Sequence, residues 1–151
     1  MNTYYLTTKF KILSAITPTL VLLFFFGVAQ SNIICFGIIG IWIAFFAIKN
    51  MVSEHITLSN SGIEYHRVGL TIHAKWKNTG EINIHWFAPF EQEGIFIDHD
   101  LIQITEWWSG SYKAYGGWSQ KAFIPLSKFS DNWRSPELGQ EIEQYAPHLF
   151  Q

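Results

Sequence analysis

Charge is the first thing this chain lacks. No charged residue and no histidine occurs at positions 12–48, between Lys11 and Lys49. The run is built mainly from Ile, Leu, Val, Phe, Ala and Gly, and it exceeds the ~20 residues that one bilayer crossing takes. Cysteine is almost absent too. Cys35 stands alone inside the run, which excludes an intramolecular disulfide and a cysteine-built metal cage. A surplus of positive charge is also missing: the net charge is −2 over 151 residues, which argues against a nucleic-acid partner. The chain contains no HExxH, no nucleophile elbow and no phosphate-cradling glycine loop, so the common hydrolytic signatures are excluded.

What is present begins with the apolar run itself. Its one polar cluster is Gln30-Ser31-Asn32, which splits it into two expected transmembrane helices, about 10–29 and 33–48. The expected domains are therefore a membrane α-helical hairpin over 1–50 and an α+β domain over 51–151. Lys9 and Lys11 followed by Gly27-Val28-Ala29 vaguely resemble a cleavable signal, but a second apolar run follows at once, which favours a retained hairpin. Lys9, Lys11 and Lys49 flank the two spans, so the expected placement is multi-pass in a bacterial inner membrane, with both termini and the domain cytoplasmic. Pro18 should bend the first helix. Gly37 and Gly40 allow close helix approach. No ionisable group lies inside either span, so the hairpin reads as an anchor in the lipid bilayer and not as a transport path.

From Glu54 onward the period becomes two. Ile56 and Leu58, Ile63 and Tyr65, Leu70 to Trp76, and Ile82 to Trp86 alternate with polar residues. Turns at Ser59-Asn60-Ser61-Gly62 and Asn78-Thr79-Gly80 separate them. Positions 88–93 read as a loop around Pro89. Positions 94–98, 101–107 and 123–126 read as further strands. Ser135 as cap and Pro136 in the first turn open a helix whose Leu138, Ile142 and Tyr145 form one apolar face, and Pro147 ends it.

The segment 56–63 (Ile-Thr-Leu-Ser-Asn-Ser-Gly-Ile), the strand end Lys75-Trp76-Lys77-Asn78, and Ile124-Pro125-Leu126-Ser127 resemble small bacterial membrane proteins carrying a pleckstrin-homology-like domain. The resemblance implies a bent antiparallel sheet or barrel of six or seven strands with a C-terminal helix. It implies no active-site residues. Lipid-binding members of that fold hold phosphoinositides with basic residues in the first hairpin loop. Here that loop, 59–62, has neither Lys nor Arg, so specific phosphoinositide binding is not expected.

His73 and His85 tempt a metal or hydrolytic reading, with His66 and Asp98 on the same expected surface. Zinc takes about four ligands, and the sequence supplies no recognisable set. The expectation is no cofactor, no metal and no enzymatic activity. The most unusual stretch is 107–123, rich in aromatics and glycine. Its Trp107, Trp108, Tyr112, Tyr115 and Trp118 suit a plain hairpin, a protein-partner site or a headgroup contact. The reading that follows is a membrane-anchored, pleckstrin-homology-like interaction or scaffold module with an unidentified protein partner. The alternatives are an accessory subunit of a larger membrane complex and an enzyme using the His73/His85 face.

Overall fold

The period-two segments become strands because each has one face to bury. The computed structural model describes residues 1–28, 33–87, 90–98, 101–106, 121–134 and 137–150. The elements are β1 (Asn2–Tyr5), α1 (Thr8–Val28), α2 (Ile33–Ser53), β2 (His55–Ser59), β3 (Gly62–Arg67), β4 (Leu70–Ala74), β5 (Ile82–Phe87), β6 (Phe90–Asp98), β7 (Ile102–Glu106), β8 (Lys121–Pro125) and α3 (Leu138–Tyr145). Short 3-10 turns occupy Trp76–Asn78 and Pro147–Phe150.

The strands form two antiparallel sheets. One runs β1-β2-β3-β4-β7 and the other β5-β6-β8. In the first, the register aligns Tyr4, Ile56, Tyr65, Ile72 and Ile104 in one inward row. Asn2, Leu58, Ile63, Ala74 and Ile102 form the next. In the second sheet, Ile82, Ile95 and Ile124 align. These rows meet Leu138 and Ile142 of α3, and the central members are wholly buried. Full burial of each Leu or Ile side chain contributes about 2 kcal/mol, the main favourable term in the fold. Trp76 stacks on Tyr145 (5.4 Å between centroids, 16° between planes), and its indole N–H donates to the Ser59 carbonyl at 2.7 Å. The turn between β3 and β4 needs a left-handed residue, and Gly69 supplies it at φ 79°.

The pleckstrin-homology-like expectation of one bent sheet or barrel of six or seven strands is corrected. Eight strands are present among the described residues, divided between sheets of five and three. The additional strand is β1. It lies before the first helix and was hidden because the pattern Asn-Thr-Tyr-Tyr is too short and polar to announce itself. Its partner residues on β2 are 50 to 56 positions away. Phe90 to Glu93, expected in a loop, belong to β6.

The transmembrane expectation is corrected as well. Among the described residues, no helix is long and apolar enough to cross a membrane. Lys9 and Lys11 lie inside the start of α1, and Lys49, Asn50 and Ser53 lie inside the end of α2. At ~1.5 Å per residue, the uncharged parts of both helices extend only about 25 Å, against about 30 Å of hydrocarbon. The multi-pass placement in an inner membrane, with cytoplasmic termini, falls with the spans. The Gln30–Asn32 turn lies outside the described residues.

The two helices pack side by side, and a buried ion pair joins their root to the sheets. Glu54 immediately follows α2. Its Oε1 accepts from Lys128 Nζ at 2.9 Å and from the Tyr65 hydroxyl at 2.8 Å. The Thr7 amide, just before α1, donates to the Lys128 carbonyl at 3.0 Å. Asn50 Oδ1 accepts from the Val68 amide at 3.2 Å. Both ends of the hairpin are therefore held by the segment after β8 and by the β3–β4 turn.

On β6, beside the same segment after β8, Glu93 accepts from Trp133 Nε1 at 2.6 Å and from Arg134 at 2.5 Å. Burial pushes its carboxyl pKa up, but the Arg134 and Trp133 hydrogen bonds, with the Arg134 charge, together hold it below the usual value.

Two outcomes are expected. Lys128→Met leaves a buried carboxylate and should cost about 3 kcal/mol in urea unfolding, with much of the loss restored by adding Glu54→Gln. Because the Glu93 pKa is lowered on folding, its contribution is intact above the ordinary value of 4.5 and is lost as pH falls through the lowered one. Glu93→Gln should flatten the decline in stability below that pH, read as the denaturation midpoint against pH.

Candidate functional site

The hairpin presents an extended apolar surface. Ile12, Ile16, Leu20, Leu23 and Phe24 of α1 are exposed, as are Ile38, Ile41, Trp42, Phe45 and Ile48 of α2. Single exposed apolar residues need no explanation, whereas a continuous set marks a surface that another molecule covers. Trp42 stacks on Phe46 (5.8 Å, 26°) and meets Phe45 edge-on (6.3 Å, 80°), so three rings on α2 form one aromatic ridge. Lys49 Nζ lies 5.7 Å from the Phe45 ring centroid and closes the ridge with a cation–π contact. The inner seam is made by small residues. Gly40 is buried against Leu22, whose Cδ2 a Cβ at that position would run into. Ala15, Ala44 and Ala47 line a gap of about 200 Å³ beside Pro18.

A second region is the polar face of the five-stranded sheet. Its register places Tyr5, His55, His66, Thr71 and Thr105 in one row. Thr3, Thr57, Glu64, His73 and Gln103 form the next. The imidazoles of His55 and His66 lie 5.0 Å apart with a 34° tilt, and Tyr5 covers the His55 ring at 5.6 Å. His55 Nδ1 donates to the Ser53 carbonyl at 2.6 Å, and His66 Nδ1 is 2.9 Å from Thr71 Oγ1. Burial and then the neighbouring His55 push the His66 pKa down, while Glu64 pulls it the other way. Beside His66 an open cleft of about 450 Å³ runs between Lys49, Ser53, Val68 and Gly69, where α2 meets the β3–β4 turn.

A third feature is a groove of about 650 Å³ between β1 and α3, lined by Tyr4, Glu137, Gln140, Glu141 and Gln144 among others. Tyr4 donates to Glu141 Oε2 at 2.7 Å, and Asn2 donates to the same oxygen at 3.0 Å. The Tyr4 phenol is held well above its ordinary range, by burial first and then by the Glu141 hydrogen bond and charge.

The histidines singled out in the sequence do not come together. His73 sits in the five-stranded sheet, 3.9 Å from Glu64. His85 sits in the other sheet and packs against Phe96 (5.9 Å) and Phe123 (5.1 Å). Asp98 ends β6 in that same sheet, whereas His66 belongs to the five-stranded one. Among the described residues, no group of three or more His, Cys, Asp or Glu is placed to hold a metal. Trp107, Trp108, Tyr112, Tyr115 and Trp118 lie outside the described residues, as do Ser135 and Pro136.

The pair that does meet, His55 and His66, was legible in principle. A hairpin turning at Asn60–Ser61 places Ser59 opposite Gly62, and therefore His55 opposite His66. No family model, no curated protein and no solved structure matches this chain.

Tyr4→Phe removes one donor from Glu141 and should cost about 1 kcal/mol in chemical denaturation, because Asn2 still reaches the same carboxylate.

Proposed function

We propose that this chain is a non-enzymatic interaction module that docks into a larger protein assembly through its α1–α2 hairpin. The two sheets and α3 act as the platform that holds the hairpin. The observation that carries this reading is the exposed apolar surface of both helices, topped by the Trp42–Phe45–Phe46 ridge. Trp is enriched where interfaces concentrate their binding energy, and an aromatic ridge beside aliphatic neighbours fits an apolar groove or helix face on a partner protein. The occupant is an apolar protein surface because no charge on 12–48 could pair with a charged one. The absence of recognisable catalytic signatures in the sequence is consistent with a binding role.

The test is native co-purification of the tagged full chain, followed by comparison of Trp42→Ala and Ile41→Glu with wild type. Trp42→Ala should weaken the association by about 2 kcal/mol, and Ile41→Glu should abolish it while the unfolding of the sheets is unchanged. Loss of no partner in either variant would overturn the reading. So would a purified chain that floats with lipid vesicles and forms no protein complex, because lipid would then be covering the hairpin.

A further inference from the structure

We propose that His55 and His66 form a two-imidazole chelate for a borderline divalent cation such as Zn²⁺, Ni²⁺ or Cu²⁺ at the root of the hairpin. Three observations carry this. The residues are direct cross-strand partners on β2 and β3, so the backbone holds both rings on one face of the sheet. Their centroids are 5.0 Å apart and the planes tilt by only 34°, a separation that one ion bound at about 2 Å from each ring can bridge. Each ring is also oriented by its other nitrogen. A carbonyl oxygen can only accept, so the contact from His55 Nδ1 to Ser53 O at 2.6 Å places the proton on Nδ1 and leaves the lone pair on Nε2. Thr71 Oγ1, 2.9 Å from His66 Nδ1, can accept in the same way.

This is the arrangement by which proteins aim metal-binding histidines: one nitrogen donates to an oxygen and the other faces the ion. Imidazole selects late first-row cations over calcium or magnesium, which take oxygen ligands. Water would complete the shell, and the cleft beside His66 supplies the approach. Lys49 borders that cleft, and its ammonium lies over the Phe45 ring, 5.7 Å from the centroid. A bound ion would tie β2 to β3. Through His55 Nδ1 it would also fix the Ser53 carbonyl, at the last residue of α2. The site is independent of whatever covers the apolar helices.

The experiment is calorimetric titration of the full chain with Zn²⁺ near neutral pH after chelator treatment. One saturable equivalent is expected. His55→Asn and His66→Asn should each abolish it, Thr71→Val should weaken it about tenfold, and His73→Asn should leave it unchanged. Should a histidine variant fail to fold, Cu²⁺ broadening of assigned backbone amides in the wild-type chain gives an independent readout. It should centre on residues 55 and 66. Absence of saturable binding up to about 1 mM Zn²⁺, retention of the site in the double histidine variant, or broadening centred elsewhere would overturn the proposal.

Discussion

The buried pair of Glu54 and Lys128 is the constraint around which the chain is arranged. Separated by 2.9 Å and largely shielded from water, it joins the residue after α2 to the segment after β8. Desolvating two charges is costly, and the Coulomb gain offsets it only when geometry is good and the remaining lone pairs are used. Here the Tyr65 hydroxyl uses one, and the Lys128 carbonyl in turn takes the Thr7 amide. The consequence is geometric. A helical hairpin inserted between β1 and β2 can leave and re-enter the sheet only where Thr7 and Glu54 are both held. β1 can therefore reach across and pair with β2.

That root also explains why the two candidate surfaces lie where they do. The hairpin leaves the body as one arm, with its small residues turned inward and its large apolar ones outward. The first residue of β2 is His55, one position beyond Glu54, so the ion pair that fixes Glu54 also fixes the imidazole next to it. Pleating then sends Glu54 toward the core and His55 to the polar face. A buried electrostatic anchor and a half-buried histidine pair on the polar face are thus alternate outcomes of the same stretch of chain.

Much of the body was legible because period two and turn chemistry are local. The Ile56/Leu58 and Ile63/Tyr65 alternations, the Ser59–Gly62 turn, and the Leu138/Ile142/Tyr145 stripe all correspond to elements whose apolar faces are buried. Two features were not legible. β1 has no pattern of its own and exists because β2 offers an edge. The uncharged run suggested two crossings, whereas the helices extend through their flanking lysines and neither is long and apolar enough to span. As for the site, the register that joins His55 to His66 follows from the turn. The grouping of His73 with His85 failed because consecutive strands entered different sheets.

Composition, period and turn residues alone established a long uncharged helical segment, an antiparallel body and a terminal amphipathic helix. These follow from interactions between residues a few positions apart. Sheet membership, the partner of β1, the Glu54–Lys128 pair and the choice of which histidines meet came only from the tertiary structure. Each depends on contacts between distant parts of the chain, decided by which arrangement buries the most apolar surface while pairing the charges it takes out of water, as at Glu54 and Lys128.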